Sequence, residues 1–340
     1  MAGAQLNGST VVYQCSKLHT MPPSPPADQL GPCELRADAC MCSNGCHSTF
    51  ECSASAFCSS SSGSRASTSS DVAMLLFFHF NRSWVRHKYA NVPWMAYTRE
   101  INRITWLLRS ARAVNTTLPI HIVVARGSER NATLEKTFSQ LGAASTIESP
   151  AVVPPRWTSA FHMHSFSKLS ALALTQFAKV IVLDNDVTLI RNIDELAAAE
   201  TPAMVFHTAT VRPQKERCAP TSGLIVLSPS AREFARVLAH LYQLNPPNKE
   251  GGRSISCYDG GDQELWRSFY RPLYELPLRY HAHTGLAMNL SEWRRIRLIH
   301  NIQGFRPVYM RLPYVVRQRV RFFHGDQGDE AKMSPSYKMR

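Results

Sequence analysis

The stretch Lys179-Val-Ile-Val-Leu-Asp184-Asn-Asp186 is the strongest indication of the fold of this chain and of its chemistry. Its apolar first half predicts a short buried β-strand. Asp184 and Asp186 follow where that strand ends, and buried carboxylates are costly unless a cation meets them. Because residues i and i+2 lie on one side of an extended chain, both can face one divalent cation. Hard oxygen ligands suit Mg²⁺ or Mn²⁺, although such a triplet is also common in solvated turns.

Apolar periodicity alternates between strands and helices from about Asp71 onward. Strands are predicted at 72–80, 120–125, 144–148, 179–184, 203–206 and 224–227, and helices at 98–114, 131–141, 167–177, 192–199 and 231–244. This alternation predicts an α/β fold, with a mainly parallel sheet covered by helices on both faces. In such sheets ligands bind beyond the carboxyl ends of the strands, which is where the two aspartates stand.

The composition fits a protein with a large core and an acidic ligand. Of the 340 residues, 44% are hydrophobic and 19% charged, and the net charge is +13. That charge suits a nucleotide sugar, a nucleic acid or an anionic membrane. Because the basic residues are dispersed and no nucleic-acid-binding motif accompanies them, we do not expect a nucleic-acid partner. Neither a transmembrane segment nor a signal peptide is visible, so the compartment is left open between the cytosol and the Golgi or secretory lumen.

Residues 1–70 differ in composition and are predicted to be a disordered leader rich in Ser, Pro, Gly and Cys. Seven of the nine cysteines lie here. Three hypotheses stay open: the cysteines bind zinc together with His47, they form a disulfide set with one thiol left over, or the leader is an over-extended gene model and not natural protein. The predicted organisation is a leader at 1–70, a globular domain at 71–325 and a tail at 326–340.

Four further motifs follow a fixed order around the aspartate pair. They are Phe166-Ser-Lys168-Leu169, Thr221-Ser-Gly223, Asp259-Gly-Gly-Asp262-Gln263 and His300-Asn-Ile-Gln-Gly304-Phe-Arg306-Pro307. Together the motifs resemble the glycogenin-type family of retaining glycosyltransferases, strongly from residue 166 onward. The resemblance implies a GT-A fold, which is Rossmann-like, a UDP-sugar donor and Mn²⁺, with Mg²⁺ as the alternative metal. It also implies transfer of a hexosyl group, with retention of configuration, to a hydroxyl of a glycan, protein or lipid. A homodimer is compatible with the sequence.

The resemblance also implies a role for each matched residue. The metal ligands would be Asp184, Asp186 and His300. The donor would be held by Lys168, Asp184, Thr221, Gly304 and Arg306. The groups at the reacting sugar would be Asp262, Lys168 and Asp259, with no dedicated base, because the leaving phosphate would take the acceptor's proton.

Departures from the family pattern keep a second function open. Thr221 stands where the family has Asn, Gly304 comes one place late, and Arg306 replaces Lys, a change that still permits bidentate phosphate binding. The alternative function is a catalytically impaired relative that binds a sugar nucleotide or a glycan. Each residue also has an ordinary structural interpretation: a surface lysine for Lys168, helix caps for Asp259 and Asp262, and a core histidine for His300.

Overall fold

A computed structural model of the protein describes most of the predicted globular domain. The described residues are 34–36, 39–41, 71–78, 93–127, 132–155, 158, 162, 164–208, 218–243, 261–270, 273–283, 288–300, 312–314 and 316–317. In the leader they comprise two short antiparallel strands, β1 (Glu34–Arg36) and β2 (Ala39–Met41). The predicted site residues Asp259, Gly304 and Arg306 lie outside the described residues.

A mixed β-sheet of seven strands forms the centre of the domain. Its strands are β3 (Val72–Phe78), β4 (Ile120–Ala125), β5 (Ser145–Ser149), β6 (Lys179–Leu183), β8 (Ala203–Thr208), β9 (Cys218–Leu227) and β10 (Tyr274–Leu276), and a smaller sheet contains β7 (Val187–Leu189), β11 (Ala282–His283) and β12 (Leu298–His300). The large sheet has the order β10-β8-β9-β6-β3-β4-β5. Every described neighbouring pair in it is parallel except the pairs of β9 with β6 and β8.

Helices cover both faces of the large sheet. They are α1 (Pro93–Ala113), α2 (Ala132–Gln140), α3 (Ala231–Gln243), α4 (Asp262–Phe269) and α5 (Leu290–Arg295). Met74 and Leu76 of β3 share a core with α1 and α2, whereas Leu75 and Phe77 share a second core with α3 and α4. Burial on both faces explains why β3 reads as a continuous apolar run. The predicted α/β class, with a mainly parallel mixed sheet and helices on both faces, is confirmed.

Two predicted α-helices are 3₁₀ segments instead. The helix predicted at 167–177 is a 3₁₀ segment at Ser165–Ala173. The hydroxyls of Ser165, Ser167 and Ser170 each donate to the carbonyl three residues earlier, which favours the tighter turn. The helix predicted at 192–199 is a 3₁₀ segment at Asp194–Ala198, because the Asn192 side chain accepts from the Asp194 backbone N–H two residues later and forms an Asx turn.

The other predicted elements agree with the structure apart from their ends. The strand predicted at 224–227 is the last part of the longer β9, and the helix predicted at 98–114 begins earlier, at Pro93. Among the described helices, none is long and apolar enough to cross a membrane.

Candidate metal and donor site

Asp184, Asp186 and His300 lie together at the carboxyl end of β6. One ligand atom from each lies within 4.8 Å of the others. The His300 Nε2 atom lies 3.0 Å from Asp186 Oδ1 and 3.7 Å from Asp184 Oδ2. Two carboxylates and one imidazole form an oxygen and nitrogen donor set that suits Mn²⁺, and several positions would remain for other ligands. The residues present therefore fit the metal that the sequence resemblance implies.

The small sheet brings His300 to the aspartates across more than a hundred residues of sequence. After Asp186 the chain enters β7, and β12 pairs antiparallel with β7. In this register His300 is the partner of Val187, the residue directly after Asp186. On the other side, the Asp184 backbone N–H donates to the Gly223 carbonyl of β9 at 3.0 Å. The large and small sheets thus fix the three candidate ligands from both sides.

The charges of Asp186 and His300 depend on each other. Burial would raise the pKa of Asp186, but the hydrogen bond and charge of His300, with Arg103, hold that pKa well below its usual range. Burial would lower the pKa of His300, but Asp186 and Asp184 together raise it. Asp186 is therefore ionised at neutral pH. The raised pKa of His300 favours its protonated form, and the imidazole must be neutral to bind a metal.

Lys168 connects the first aspartate to Asp262. The Lys168 Nζ atom lies 2.7 Å from Asp184 Oδ1 and 3.0 Å from Asp262 Oδ2. It also donates to the Ser222 carbonyl oxygen at 2.9 Å. Only 5% of the lysine is exposed, so it is not a surface residue. Burial opposes its charged form, but the two carboxylates outweigh burial and raise the pKa of Lys168, which keeps the ammonium charged.

Asp262 is the first residue of α4, but its side chain does not cap the helix. The carboxylate accepts from Ser222 Oγ at 3.0 Å and from Trp266 Nε1 at 3.2 Å, in addition to Lys168. Burial raises the pKa of Asp262, although Lys168 opposes this shift. A buried carboxylate with three side-chain partners has a fixed orientation.

Thr221 lies on β9 close to this cluster and is buried. Its Oγ1 accepts from the Gly223 backbone N–H at 3.4 Å, so the hydroxyl has a local partner. Gly223 itself must be glycine, because a Cβ there would lie 2.0 Å from Nε2 of the fully buried His281. The His281 ring packs 4.7 Å, between centroids, from the ring of His300. The predicted motif around Thr221 thus helps to shape the site through packing.

Several residues of the site were missed in the sequence. Arg103 NH2 lies 3.3 Å from Asp186 Oδ2, and Glu100 pairs with the same arginine. Ser222 and Asn185 stood inside recognised motifs, but no role was predicted for them. His281 lies outside the motifs recognised in the sequence. Spacing within a motif could have suggested Ser222, whereas Arg103 lies 83 residues before its partner and gives no local signal.

Comparison with known proteins identifies a glycosyltransferase pattern in the centre of the chain. Residues 95–205 match Mannosyl_trans3, described as a mannosyltransferase family. This segment contains Lys168, Asp184 and Asp186. A 25% identical segment of 137 residues occurs in an Arabidopsis thaliana protein provisionally named UDP-glucuronate:xylan alpha-glucuronosyltransferase 3. A 34% identical segment of 92 residues occurs in an uncharacterised protein of Acanthamoeba polyphaga mimivirus.

These curated relatives are much longer than the matched segments. The matches cover 38% and 24% of this chain, and only 18% and 33% of the respective relatives. Among solved structures, galactosyltransferase LgtC in complex with donor and acceptor sugar analogs matches with a TM-score of 0.48 and 10% identity, over 74% of this chain and 95% of that one. Glycosyltransferase GlyE of Streptococcus pneumoniae TIGR4 matches with a TM-score of 0.44 and 11% identity, over 68% and 55%.

Proposed function

We propose that this chain is a nucleotide-sugar glycosyltransferase and, more narrowly, a Mn²⁺-dependent hexosyltransferase that uses a UDP-sugar. Its match at residues 95–205 to a mannosyltransferase family supports the proposal. The observation that carries the proposal is the meeting of Asp184, Asp186 and His300 at the carboxyl end of β6. Sites for phosphorylated ligands are expected at that edge of a mainly parallel sheet. The narrower likeness to glycogenin stays a prediction.

The charged residues of the site divide into two groups with different tasks. Asp184, Asp186 and His300 would hold the metal, which supplies positive charge to the donor's diphosphate as the bond to the sugar breaks. Lys168 and Asp262 lie on the other side of Asp184. The ammonium would keep Asp184 oriented, and Asp262 would accept a hydrogen bond from a sugar hydroxyl. Fixed charges of this kind stabilise a transition state without reorganising.

The reaction that we propose retains the anomeric configuration of the transferred sugar. The acceptor would be a hydroxyl group of a glycan, protein or lipid. In a same-face attack the leaving phosphate takes the proton of that hydroxyl, so the site needs no separate base. The supporting observation is that these carboxylates of the site already have partners. His300 and Arg103 hold Asp186 in its ionised form, and Asp262 is bound to Lys168, Ser222 and Trp266.

The test is release of nucleotide from a donor panel with and without Mn²⁺. The panel contains UDP-glucose, UDP-galactose, UDP-xylose, UDP-glucuronate, UDP-galacturonate and, in view of the family match, GDP-mannose. We expect one UDP-sugar to be hydrolysed only when metal is present. Asp186→Asn should lower this rate by more than the roughly 10–100-fold typical of an outer-shell partner. Asp71→Asn, an exposed aspartate at the amino end of β3, is the matched control.

A second function, donor binding without transfer, is favoured by one observation. Thr221 replaces the asparagine of the resembled family, and its hydroxyl is engaged by the Gly223 backbone. Binding of a UDP-sugar with no release of UDP, with Mn²⁺ and a broad acceptor panel supplied, would support this function. Metal-dependent UDP release would exclude it.

A further inference from the structure

Helix α1 contributes two charged residues to the candidate metal site from outside the recognised motifs. The Arg103 guanidinium donates through NH1 to Glu100 Oε1 at 2.9 Å and lies, through NH2, 3.3 Å from Asp186 Oδ2. The side chains of Arg103 and Asp186 are only 20% and 16% exposed. An arginine whose two terminal nitrogens each contact a different carboxylate is held in one orientation by its planar fork.

The Glu100 carboxylate is bound at both of its oxygens. Oε1 accepts a hydrogen bond from Arg103, and Oε2 lies 3.3 Å from the Nδ2 atom of Asn185, the residue between the two aspartates. The same Nδ2 donates to the Phe77 carbonyl at the end of β3 at 2.7 Å. Asn185 therefore turns away from the metal ligands and fastens their loop to α1 and β3. Asn185 thus holds the loop on the side of α1 and β3.

The helix that supplies these groups is itself firmly anchored. Leu107, Leu108 and Ala111 of α1 are fully buried in the sheet core. Ser110 Oγ accepts from the Leu189 backbone N–H of β7 at 3.1 Å. Because β7 directly follows Asp186 in the chain, α1 and the aspartate loop keep a fixed relation to each other. The guanidinium of Arg103 therefore holds the Asp186 carboxylate at a fixed position relative to α1.

We propose that Arg103, held by Glu100, is a positioning residue that fixes Asp186 as a metal ligand through a single oxygen. The inference rests on the proposed function, since it concerns the same metal site. Arg103 binds Oδ2, so Oδ1, the oxygen that faces His300, is the one presented to the metal. The paired Glu100 offsets the positive charge of Arg103, which would otherwise repel the cation.

The positioning role and a purely electrostatic role predict opposite changes in metal affinity. An arginine acts on a cation by repulsion, so removing its charge alone would tighten Mn²⁺ binding. Loss of an outer-shell orienting partner weakens metal binding, typically about 10–100-fold. Lysine keeps the charge of Arg103 but cannot contact Glu100 and Asp186 with a planar fork. Arg103→Lys should therefore bind Mn²⁺ at least as weakly as Arg103→Met.

The experiment measures the Mn²⁺ Kd of the full chain from the electron paramagnetic resonance signal of free Mn²⁺, without any sugar nucleotide. We expect Arg103→Lys and Arg103→Met to raise the Kd about 10–100-fold. Arg109→Lys and Arg109→Met, at an exposed position of the same helix, should change the Kd by no more than about twofold. Circular dichroism in EDTA checks that each variant is folded.

Glu100→Gln is the second variant, in case the arginine substitutions prevent folding. It keeps a side chain of equal size but weakens the hold on both Arg103 and Asn185, so its Kd should also rise. An unchanged or lower Kd in Arg103→Met, or a wild-type Kd in Arg103→Lys or Glu100→Gln, would overturn the positioning role while leaving the metal site intact. Absence of Mn²⁺ binding by the wild-type chain would overturn the metal site and the positioning role together.

Discussion

Replacement of Lys168 by methionine tests the charged cluster in the site most directly. The ammonium lies within 3.0 Å of one oxygen each of Asp184, Asp262 and Ser222, and the side chain is 7% exposed. Methionine fills a similar volume but removes the cation that lies between the carboxylates of Asp184 and Asp262. Breaking a buried ion pair by removing one partner costs about 3–5 kcal/mol. For a domain of this size that corresponds to a fall in Tm of about 10 °C.

The assay is thermal and urea unfolding of the metal-free protein in EDTA at neutral pH. Lys136→Met, at an exposed position of α2, controls for the loss of a lysine and should stay within about 0.5 kcal/mol of wild type. Combining Lys168→Met with Asp262→Asn removes one of the unpaired charges. The double variant should regain stability, with a coupling energy of about 1–3 kcal/mol. Loss of less than about 1 kcal/mol in Lys168→Met, or no coupling, would mean that the ammonium does not stabilise these carboxylates.

Two further predictions concern the frame of the site. Asp194 accepts hydrogen bonds from Thr116 and Thr117, and these bonds outweigh burial and lower the pKa of Asp194. Asp194→Asn should lower the free energy of unfolding by about 1–2 kcal/mol at pH 7, allowing for partial exposure. This stabilisation is present above the pKa of the unfolded state and is lost as the pH falls through the lower pKa of the folded state. The difference in unfolding free energy between wild type and Asp194→Asn should therefore shrink below about pH 4 in urea titrations. A difference that stays constant with pH would contradict this prediction. Gly223→Ala should destabilise by about 1–3 kcal/mol or more, because the new Cβ meets His281. In Gly223→Ala, adding His281→Ala should relieve part of that cost in thermal melts, and additive losses would argue against the clash.

The fold was largely predictable because its signals are local. Continuous apolar runs such as Val72–Phe78 indicate strands buried on both faces, and the structure confirms this. The segment after His164 shows where local signals fail. Its apolar spacing suggested an α-helix, but its serines bond to carbonyls three residues back and the chain forms a 3₁₀ segment. Side-chain bonds to the backbone compete with helical hydrogen bonds, and spacing of apolar residues does not register that competition.

The candidate site was predictable only in part, and the reason lies in sequence distance. Asp184 and Asp186 can be predicted from the sequence, because two carboxylates directly follow a buried strand. His300 was assigned through a resemblance, and the pairing of β12 with β7 is what places it beside them. The ordinary structural interpretation of Lys168 as a surface residue is wrong, since it is almost fully buried between carboxylates.

Local patterns in the sequence are enough to predict the alternation of strands and helices, the strand that ends in two aspartates, and the order of the motifs around it. Those features depend on residues close together in the chain, where periodicity and charge are directly readable. Which charged side chains contact each other depends on the tertiary structure. The contacts of Arg103 with Asp186 and of Lys168 with Asp262 join residues 83 and 94 positions apart. Such contacts depend on the strand register and on the packing of α1 against β7. They cannot be predicted locally, because the sequence around one partner gives no signal of the other.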